Sequence, residues 1–379
     1  MIRQLTILLL AVGAAVGLTA CAETYGYGRT RETRVSVAGE YAIYDDYDAL
    51  APYGTWVAVS YGWAWCPLDV SAEWRPYTVG RWAYTDYGWM WLSADPWGST
   101  PYHYGRWAYD DYYGWVWIPG DVWAPAWVSW RYGGDWIGWA PLPPDLGWQV
   151  SVGFRYSSSD IDRRIDPQAW CFTRASGFTD TRVRVAPAGR NVTLRDVTRN
   201  VTRYEIEGSM PAERGLRPEW VSRATGRSVT RYRLEDAPAG QPRRNPDVRD
   251  NEIVVSRTRP RPANRGDGSD RVRANPPTRY RAAPERALIE RQRAERERAP
   301  ERLRQERQEL EQEQQQELRE RPRGVSEETL RRRHEAERRA QDAREERMRR
   351  VFEKRQEKFE REDRDRGRGR ERGRGRGDD

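Results

Sequence analysis

Lysine is almost missing from this 379-residue chain: of 66 basic residues, only Lys354 and Lys358 are not arginine. Histidine occurs twice, at 103 and 334, cysteine three times, and phenylalanine five times beside 19 tryptophans and 20 tyrosines. Each shortage excludes something. His103 has no cysteine or serine motif with which to form a nucleophile–base pair. Glycine-rich phosphate loops, zinc-ligand spacings and nucleophile elbows are all lacking. The expectation is a non-enzymatic protein with no catalytic residues, no metal ligands and no cofactor. The arginine bias reads as codon composition rather than binding chemistry. Past the first apolar run, none is long enough to cross a bilayer.

That first run, Leu5 to Val16, follows Arg3 and leads to Gly17-Leu18-Thr19-Ala20-Cys21. A short basic region, a short apolar stretch and a small-residue cleavage site read as a secretory signal over residues 1–20. Leu18-Thr19-Ala20-Cys21 resembles the bacterial lipobox, whose cysteine becomes an acylated N-terminus, and two or more acyl chains anchor stably where one does not. Cys21 is the expected lipidation site, and the membrane the first expected partner. Ala22 in place of aspartate resembles the sorting signal for the outer rather than the inner membrane of the cell envelope. In that oxidising compartment Cys66 and Cys171 are candidates for a disulfide, the alternative being two buried, inert thiols.

Charge is unevenly spread. Ala22 to Asp180 holds 11 basic and 19 acidic residues, a net of −8, whereas Thr181 to Asp379 holds 54 and 39, a net of +15. A basic half suggests nucleic acid in a cytoplasmic protein. Behind a secretion signal the expected partners are instead peptidoglycan, lipopolysaccharide or an envelope protein.

The organising stretch is Gly54 to Trp148, which holds 17 of the 19 tryptophans. Gly80-Arg81-Trp82-Ala83-Tyr84-Thr85-Asp86-Tyr87-Gly88-Trp89-Met90-Trp91 returns 25 residues later as Gly105-Arg106-Trp107-Ala108-Tyr109-Asp110-Asp111-Tyr112-Tyr113-Gly114-Trp115-Val116-Trp117. A looser copy runs from Gly54 to Trp65, and a degenerate one spans Ser129 to Trp136. Two alternating aromatic runs around an Asp/Tyr/Gly turn read as a β-hairpin, so the period predicts hairpin repeats. Turn formation explains Asp86, Asp110, Asp111 and Asp135 better than calcium, whose regular loop is absent.

In Trp89-Met90-Trp91-Leu92 and Trp115-Val116-Trp117-Ile118 the tryptophans share one strand face and aliphatic residues the other. Two readings follow. The aromatic face, with Trp63, Trp65, Trp89, Trp91, Trp115 and Trp117 flanked by Arg81 and Arg106, is a platform on which sugar rings stack. Alternatively the tryptophans are core, locked by cross-strand pairing, and the domain is a structural, protein–protein interaction scaffold. Area alone allows the second: a 95-residue stretch buries on the order of 10,000 Å², and its aromatic rings, at roughly 200 Å² each, take up about half. Nucleic-acid stacking needs a cationic groove, and four arginines against nine carboxylates here do not supply one. A remote third reading is an envelope hydrolase using His103 and a turn aspartate.

The expected fold is mainly β, with a small α+β portion and a charged tail that is disordered to helical. The boundaries are a signal (1–20), a tether (21–40), the Trp-rich hairpin domain (41–150) and its α+β extension (151–238). A Pro/Arg-rich disordered linker (239–284), a charged helical or coiled-coil-like tail (285–365) and a disordered Arg-Gly end (366–379) follow. Within the extension, Asp166-Pro167 and Pro218 open short helices. Alternating segments at 182–185, 191–197, 202–206 and 228–234 read as strands, and 252–256 as a weaker one. Pro300 and Pro322 should interrupt any tail helix, and Ser326 caps the last one.

Pro101-Tyr102-His103-Tyr104-Gly105-Arg106-Trp107, Gly114-Trp115-Val116-Trp117-Ile118-Pro119-Gly120, Trp123 to Trp130 and Gly138-Trp139-Ala140-Pro141-Leu142 resemble the secreted bacterial family called domain of unknown function 6600. The resemblance spans roughly Tyr41 to Asp236. It implies an extracytoplasmic protein and brings no activity, ligand or catalytic residue. Cysteine is not usual in that family at the positions of Cys66 and Cys171, so a disulfide would be particular to this chain.

Overall fold

The computed structural model describes residues 49–374, apart from 69, 72–73, 121, 149–152, 155, 209, 239–244, 258–284 and 321–323. The expected signal, Cys21, the tether, most of the linker and the last five residues lie outside the described residues.

The repeat copies are antiparallel hairpins: β1 (Gly54–Val59) with β2 (Gly62–Pro67), β3 (Gly80–Thr85) with β4 (Gly88–Ser93), β5 (Arg106–Asp110) with β6 (Gly114–Ile118), and β7 (Val128–Gly133) with β8 (Trp136–Pro141). Each sets one tryptophan directly opposite another: Trp56 and Trp65, Trp82 and Trp91, Trp107 and Trp117, Trp130 and Trp139. All eight are at most 4% exposed. The repeated phrase therefore encodes one buried cross-strand pair per hairpin.

Glycine makes room for three of these pairs. A methyl on Gly54 would stand 2.3 Å from Trp65 Cε2, on Gly80 2.8 Å from Trp91 Cζ2, and on Gly105 2.8 Å from Trp117 Nε1. In the fourth hairpin the equivalent position is Val128, and the Trp139 indole instead donates to the Tyr77 carbonyl at 2.9 Å. That hairpin turns through Gly134 and Asp135, both left-handed at φ 53° and 64°, the backbone that a two-residue hairpin loop requires.

Hairpins of sequence become walls of one core. The first and third share a sheet in the order β1-β2-β6-β5. The fourth is flanked by β9 (Cys171–Arg174) and β10 (Arg199–Asn200) in the order β10-β7-β8-β9. β11 (Tyr204–Glu207) and β12 (Met210–Glu213) form a separate ribbon. β13 (Arg231–Asp236), β14 (Asp247–Arg249) and β15 (Glu252–Val255) extend the second hairpin into a sheet ordered β14-β15-β13-β3-β4, with β13 parallel to β3 and to β15. The indole faces converge on Trp82, whose ring centroid lies 4.6 Å from Trp130, 4.9 Å from Trp91 and 5.7 Å from Trp139. Edge-to-face contacts of this kind suit rings with a negative face and a positive edge.

The α+β portion contributes α1 (Ser158–Arg164), α2 (Asn191–Val197) and α3 (Pro218–Thr225). Asp166 caps the 3-10 turn Pro167–Ala169 through Gln168 N, as the sequence suggests. Three expectations are corrected. Residues 191–197 are a helix, because Asn191 and Leu194 lie on one helical face that packs inward. Residues 182–185 join no ladder, although Val183 N donates to Gly80 O at 3.1 Å. The linker is less disordered than expected: the weaker strand read at 252–256 is present as β15, and an unexpected β14 pairs with it, the two tied down by buried Ile253 and Val255.

The tail forms two long helices, α4 (Glu285–Glu320) and α5 (Glu327–Arg374), paired antiparallel. His334 meets Glu317, Arg338 and Glu337 meet Gln314, Arg307 meets Asp342 and Glu345, Arg344 meets Glu306, and Arg355 meets Glu295. Residue numbers across the seam sum to about 651 throughout, so the register is regular although charges, not leucines, mark it. Pro300 does not interrupt α4; its neighbour Ala299 is buried against the partner helix, and that packing carries the helix past the lost hydrogen bond. Ser326 caps α5 through Thr329 N at 3.1 Å, as expected. The helix runs on into the Arg-Gly tract as far as Arg374, where propagation adds one bond per residue without a new nucleus.

Candidate functional site

The residues proposed as a sugar-stacking face are mostly sealed. Trp65, Trp89, Trp91 and Trp117 are 0–1% exposed. Trp89 Nε1 donates to Leu216 O at 2.9 Å and Trp117 Nε1 to Tyr104 O at 2.8 Å. Both faces of these strands are apolar because both are covered: Met90 is as buried as Trp91. Trp63 and Trp115 are half-buried and pack on the same cluster. The Trp65–Trp117 register places them four residues apart along the sheet, about 13 Å at ~3.3 Å per residue, so they do not make one platform. Arg106 lies over the Trp127 ring at 3.7 Å and donates to Gly105 O and Leu146 O, whereas Arg81 is half-buried opposite Leu92.

The expected disulfide is corrected. Cys66 and Cys171 are free, buried thiols in different clusters, Cys66 beneath Leu288 of α4 and Cys171 in the main aromatic core. Burial pushes both thiols above their ordinary pKa, with Arg291 partly opposing it at Cys66.

His103 is buried, with Nδ1 3.1 Å from the carbonyls of both Ala124 and Pro125 and its ring stacked on Trp123. Two carbonyl neighbours assign the proton to Nδ1, and burial lowers the pKa to about 4. A neutral, enclosed imidazole is a packing group. Asp110 accepts from Tyr112 N and Tyr113 N at 2.8 and 2.9 Å, and Asp86 from Arg231 at 2.7 Å. Among the described residues no group of three His, Cys, Asp or Glu is arranged to hold a metal.

The feature that sequence reasoning missed is the seam where the helical hairpin lies on the β-domain. Arg190 reaches Glu313 at 2.7 Å, Glu317 at 2.5 Å and Glu337 at 3.4 Å. Thr193 donates to Glu337 at 2.5 Å, and Gln314 at 2.9 Å. Burial alone would lower the Arg190 pKa; Glu337 and Glu317 outweigh it and hold the pKa above its usual value. At Glu317, burial is likewise outweighed, by Arg190 and His334, and the carboxyl pKa falls below its ordinary value. Gly189 lets α5 approach: a methyl there would stand 2.9 Å from Gln341 Oε1. Farther along, Gln292 donates to Tyr112 O at 3.0 Å, Arg291 to Pro67 O, and Leu288 covers Val57, Ala64, Cys66 and Val116 on the outer face of the first sheet. The signal lay in Leu288, Leu310 and Leu330 spaced along an otherwise polar tail, too sparse to name a binding surface.

Residues 47–146 match the sequence model of a family of unknown function, DUF6600. The resemblance read from the Gly-Arg-Trp phrases holds over that stretch, and the match ends short of the Asp236 boundary. No curated protein matches the chain, and no solved structure does.

Proposed function

We propose that the chain is a non-enzymatic envelope lipoprotein, anchored through Cys21, whose aromatic β-domain is a rigid assembly scaffold that carries a charged helical hairpin. One observation bears most of this reading: the four cross-strand tryptophan pairs are closed to solvent, so the aromatic repeat builds the body and leaves recognition to other surfaces. The hairpin supplies such a surface, with exposed Glu327, Glu328, Arg331, Arg332, Glu335 and Arg339 paired at i,i+4 along α5. Pairs like these are each worth only tenths of a kcal/mol, and they exchange readily for a partner's charges.

A weaker second reading is direct contact with peptidoglycan or another envelope glycan. Exposed Tyr61 and Tyr109 at two ends of the first sheet favour it. Co-sedimentation of the full chain with purified sacculi separates the two. Pelleting that survives high salt supports stacking on sugar; pelleting lost at high salt, or none, supports the scaffold. Membrane fractionation of a Cys21→Ala variant tests the anchor, and release into the soluble fraction is the expected result. A folded His103→Gln variant that loses all cellular phenotype would reopen the hydrolase reading.

A further inference from the structure

Between α4 and α5 runs an open groove of about 450 Å³. α4 lines it at i, i+3, i+4, i+7, i+8 and i+11 counted from Arg296, and α5 lines it at the same spacing counted from Glu345. That is one helical face over three turns, about 17 Å at ~1.5 Å per residue. Two helices that turn such faces to a common space leave the place that a third helix takes in a bundle. The floor is apolar and unfinished. Ala299 is buried, but Leu303, Met348 and Phe352 are only half-buried, whereas Leu310 and Leu330 elsewhere on the hairpin are closed. Pockets of ~300–1,000 Å³ enclose ordinary ligands, so this one has room for several apolar side chains.

The rim is cationic. Of four arginines in the lining, Arg307 is held by Asp342 and Glu345 at 2.7 and 2.8 Å. Arg296 donates to Gln356, a neutral acceptor, and neither Arg304 nor Arg349 meets a carboxylate among the described residues. Glu353 is the one other acid in the lining. Even with Glu353 set against Arg349 on the same helix, Arg296 and Arg304 stay uncompensated on α4, and both are exposed. That charge selects the occupant, because opposite charge across an interface fixes register and turns away wrong partners. A second copy of this chain would bring the same cationic rim, and its Leu310 and Leu330 are already buried inside its own hairpin.

We propose that the groove docks an acidic amphipathic helix of a partner protein. Its apolar anchors, at i, i+4 and i+7, seat on Leu303, Met348 and Phe352, and its carboxylates meet Arg296, Arg304 and Arg349. Helices laid into apolar grooves are held by anchors at that spacing, and a methionine in the floor adapts to their shapes. The proposal rests on the scaffold reading and names the kind of partner that the hairpin carries.

The test uses the full chain in detergent and three fluorescein-labelled synthetic helices of about 20 residues, ~30 Å long. The first is rich in glutamate with leucines at i, i+4 and i+7; the second has glutamine for those leucines, and the third has lysine for glutamate. Fluorescence anisotropy should show saturable binding of the first and at least tenfold weaker binding of the other two. Arg304→Glu, at an exposed position, should weaken the first helix at least tenfold and improve the third, while the circular dichroism stays that of the parent. The proposal is overturned if the first helix does not bind, as when the acidic stretch at 40–48 of the same chain closes the groove, or if it binds no better than the second. It is equally overturned if the chain sediments as a dimer that excludes the helix, since the groove then belongs to a second copy. If Arg331→Glu with Arg332→Glu weakens the first helix and Arg304→Glu does not, recognition lies on the charges of α5: the groove falls and the scaffold reading stands. Failure of the scaffold reading itself is read from the sacculi, where none of these helices is used.

Discussion

Arg190 Nε lies 3.4 Å from Glu337 Oε1, with the two side chains 3% and 0% exposed. A charge so enclosed is tolerable only when its partners are in place, since desolvation rivals the Coulombic gain. The helical hairpin is thus held to the β-domain at one end by a buried ionic network and at the other by Leu288 over the outer sheet face.

Removing the cation should loosen that attachment first. Arg190→Met leaves Glu317 and Glu337 buried without it, a change worth about 3–5 kcal/mol. Amides of α5 between 330 and 351 should exchange faster while those of β3, β4, β7 and β8 keep their protection. An equal rise everywhere would show that hairpin and domain unfold as one unit.

The pH dependence of stability should be flatter than its parts. Burial raises the Glu213 carboxyl to about 7, although the backbone N–H groups of Arg203, Gly215 and Leu216 oppose it. Between about pH 4.5 and 7 the folded state holds a proton that the unfolded chain has released, so this contribution falls as pH rises. Burial lowers His103 to about 4, so between about 4 and 6.5 the unfolded chain holds the extra proton, and this contribution rises with pH. Each amounts to about 3 kcal/mol. Glu213→Gln should melt at increasing temperature from pH 4 to 6.5, and His103→Gln at decreasing temperature from pH 4.5 to 7. Parallel profiles in the two variants would sink the idea.

Gly105→Ala should be more damaging than Gly62→Ala, although both glycines are left-handed. A methyl at Gly105 meets Ile118 O at 2.1 Å and the Trp117 ring, whereas nothing lies within 4 Å of one at Gly62. Backbone strain alone costs about 1–2 kcal/mol; the clash adds roughly 1–3 more. Urea denaturation monitored by circular dichroism measures the difference.

In a Cys21→Ser variant without reductant, neither remaining thiol should react with an aromatic disulfide reagent in the folded state, and both should titrate in denaturant. A disulfide between Cys66 and Cys171 would leave none to titrate. Acrylamide should quench only a minor part of the indole emission.

The hairpins, their turns and the cap at Ser326 were legible because each is a local bargain between neighbours in sequence: glycine at Gly88 or Gly114, alternation beside it, serine before a helix. Whether the tryptophans faced water was not, since the residues that cover Met90 and Leu92 come from elsewhere in the chain. Residues 191–197 misled because β-branched Val192 and Thr193 suit a strand by propensity, while the surfaces that decide the matter are the domain core around Trp170 and Phe172, which receives Leu194, and α5, some 140 positions away, which meets Thr193. The hairpin seam escaped for the same reason. Its partners are charged residues, and only distance in space, not spacing in sequence, makes Arg190 and Glu337 a pair.

Repeats that stack in a row can be lengthened or shortened, because each copy touches only the next. The four tryptophan pairs here belong to one core, the second and fourth meeting at Trp82 and the first and third at Trp56 and Trp117, so the set is closed. Excising one hairpin would not yield a smaller protein; it would open a wall of the core. The copies vary at outward positions, where Arg81 and Arg106 differ in surroundings, at the buried position held by Ala64, Met90, Val116 and Gly138, and at the glycine slot that Val128 fills in the fourth copy by turning the Trp139 indole elsewhere. The number of copies is a property of the shape and not of the chain's length.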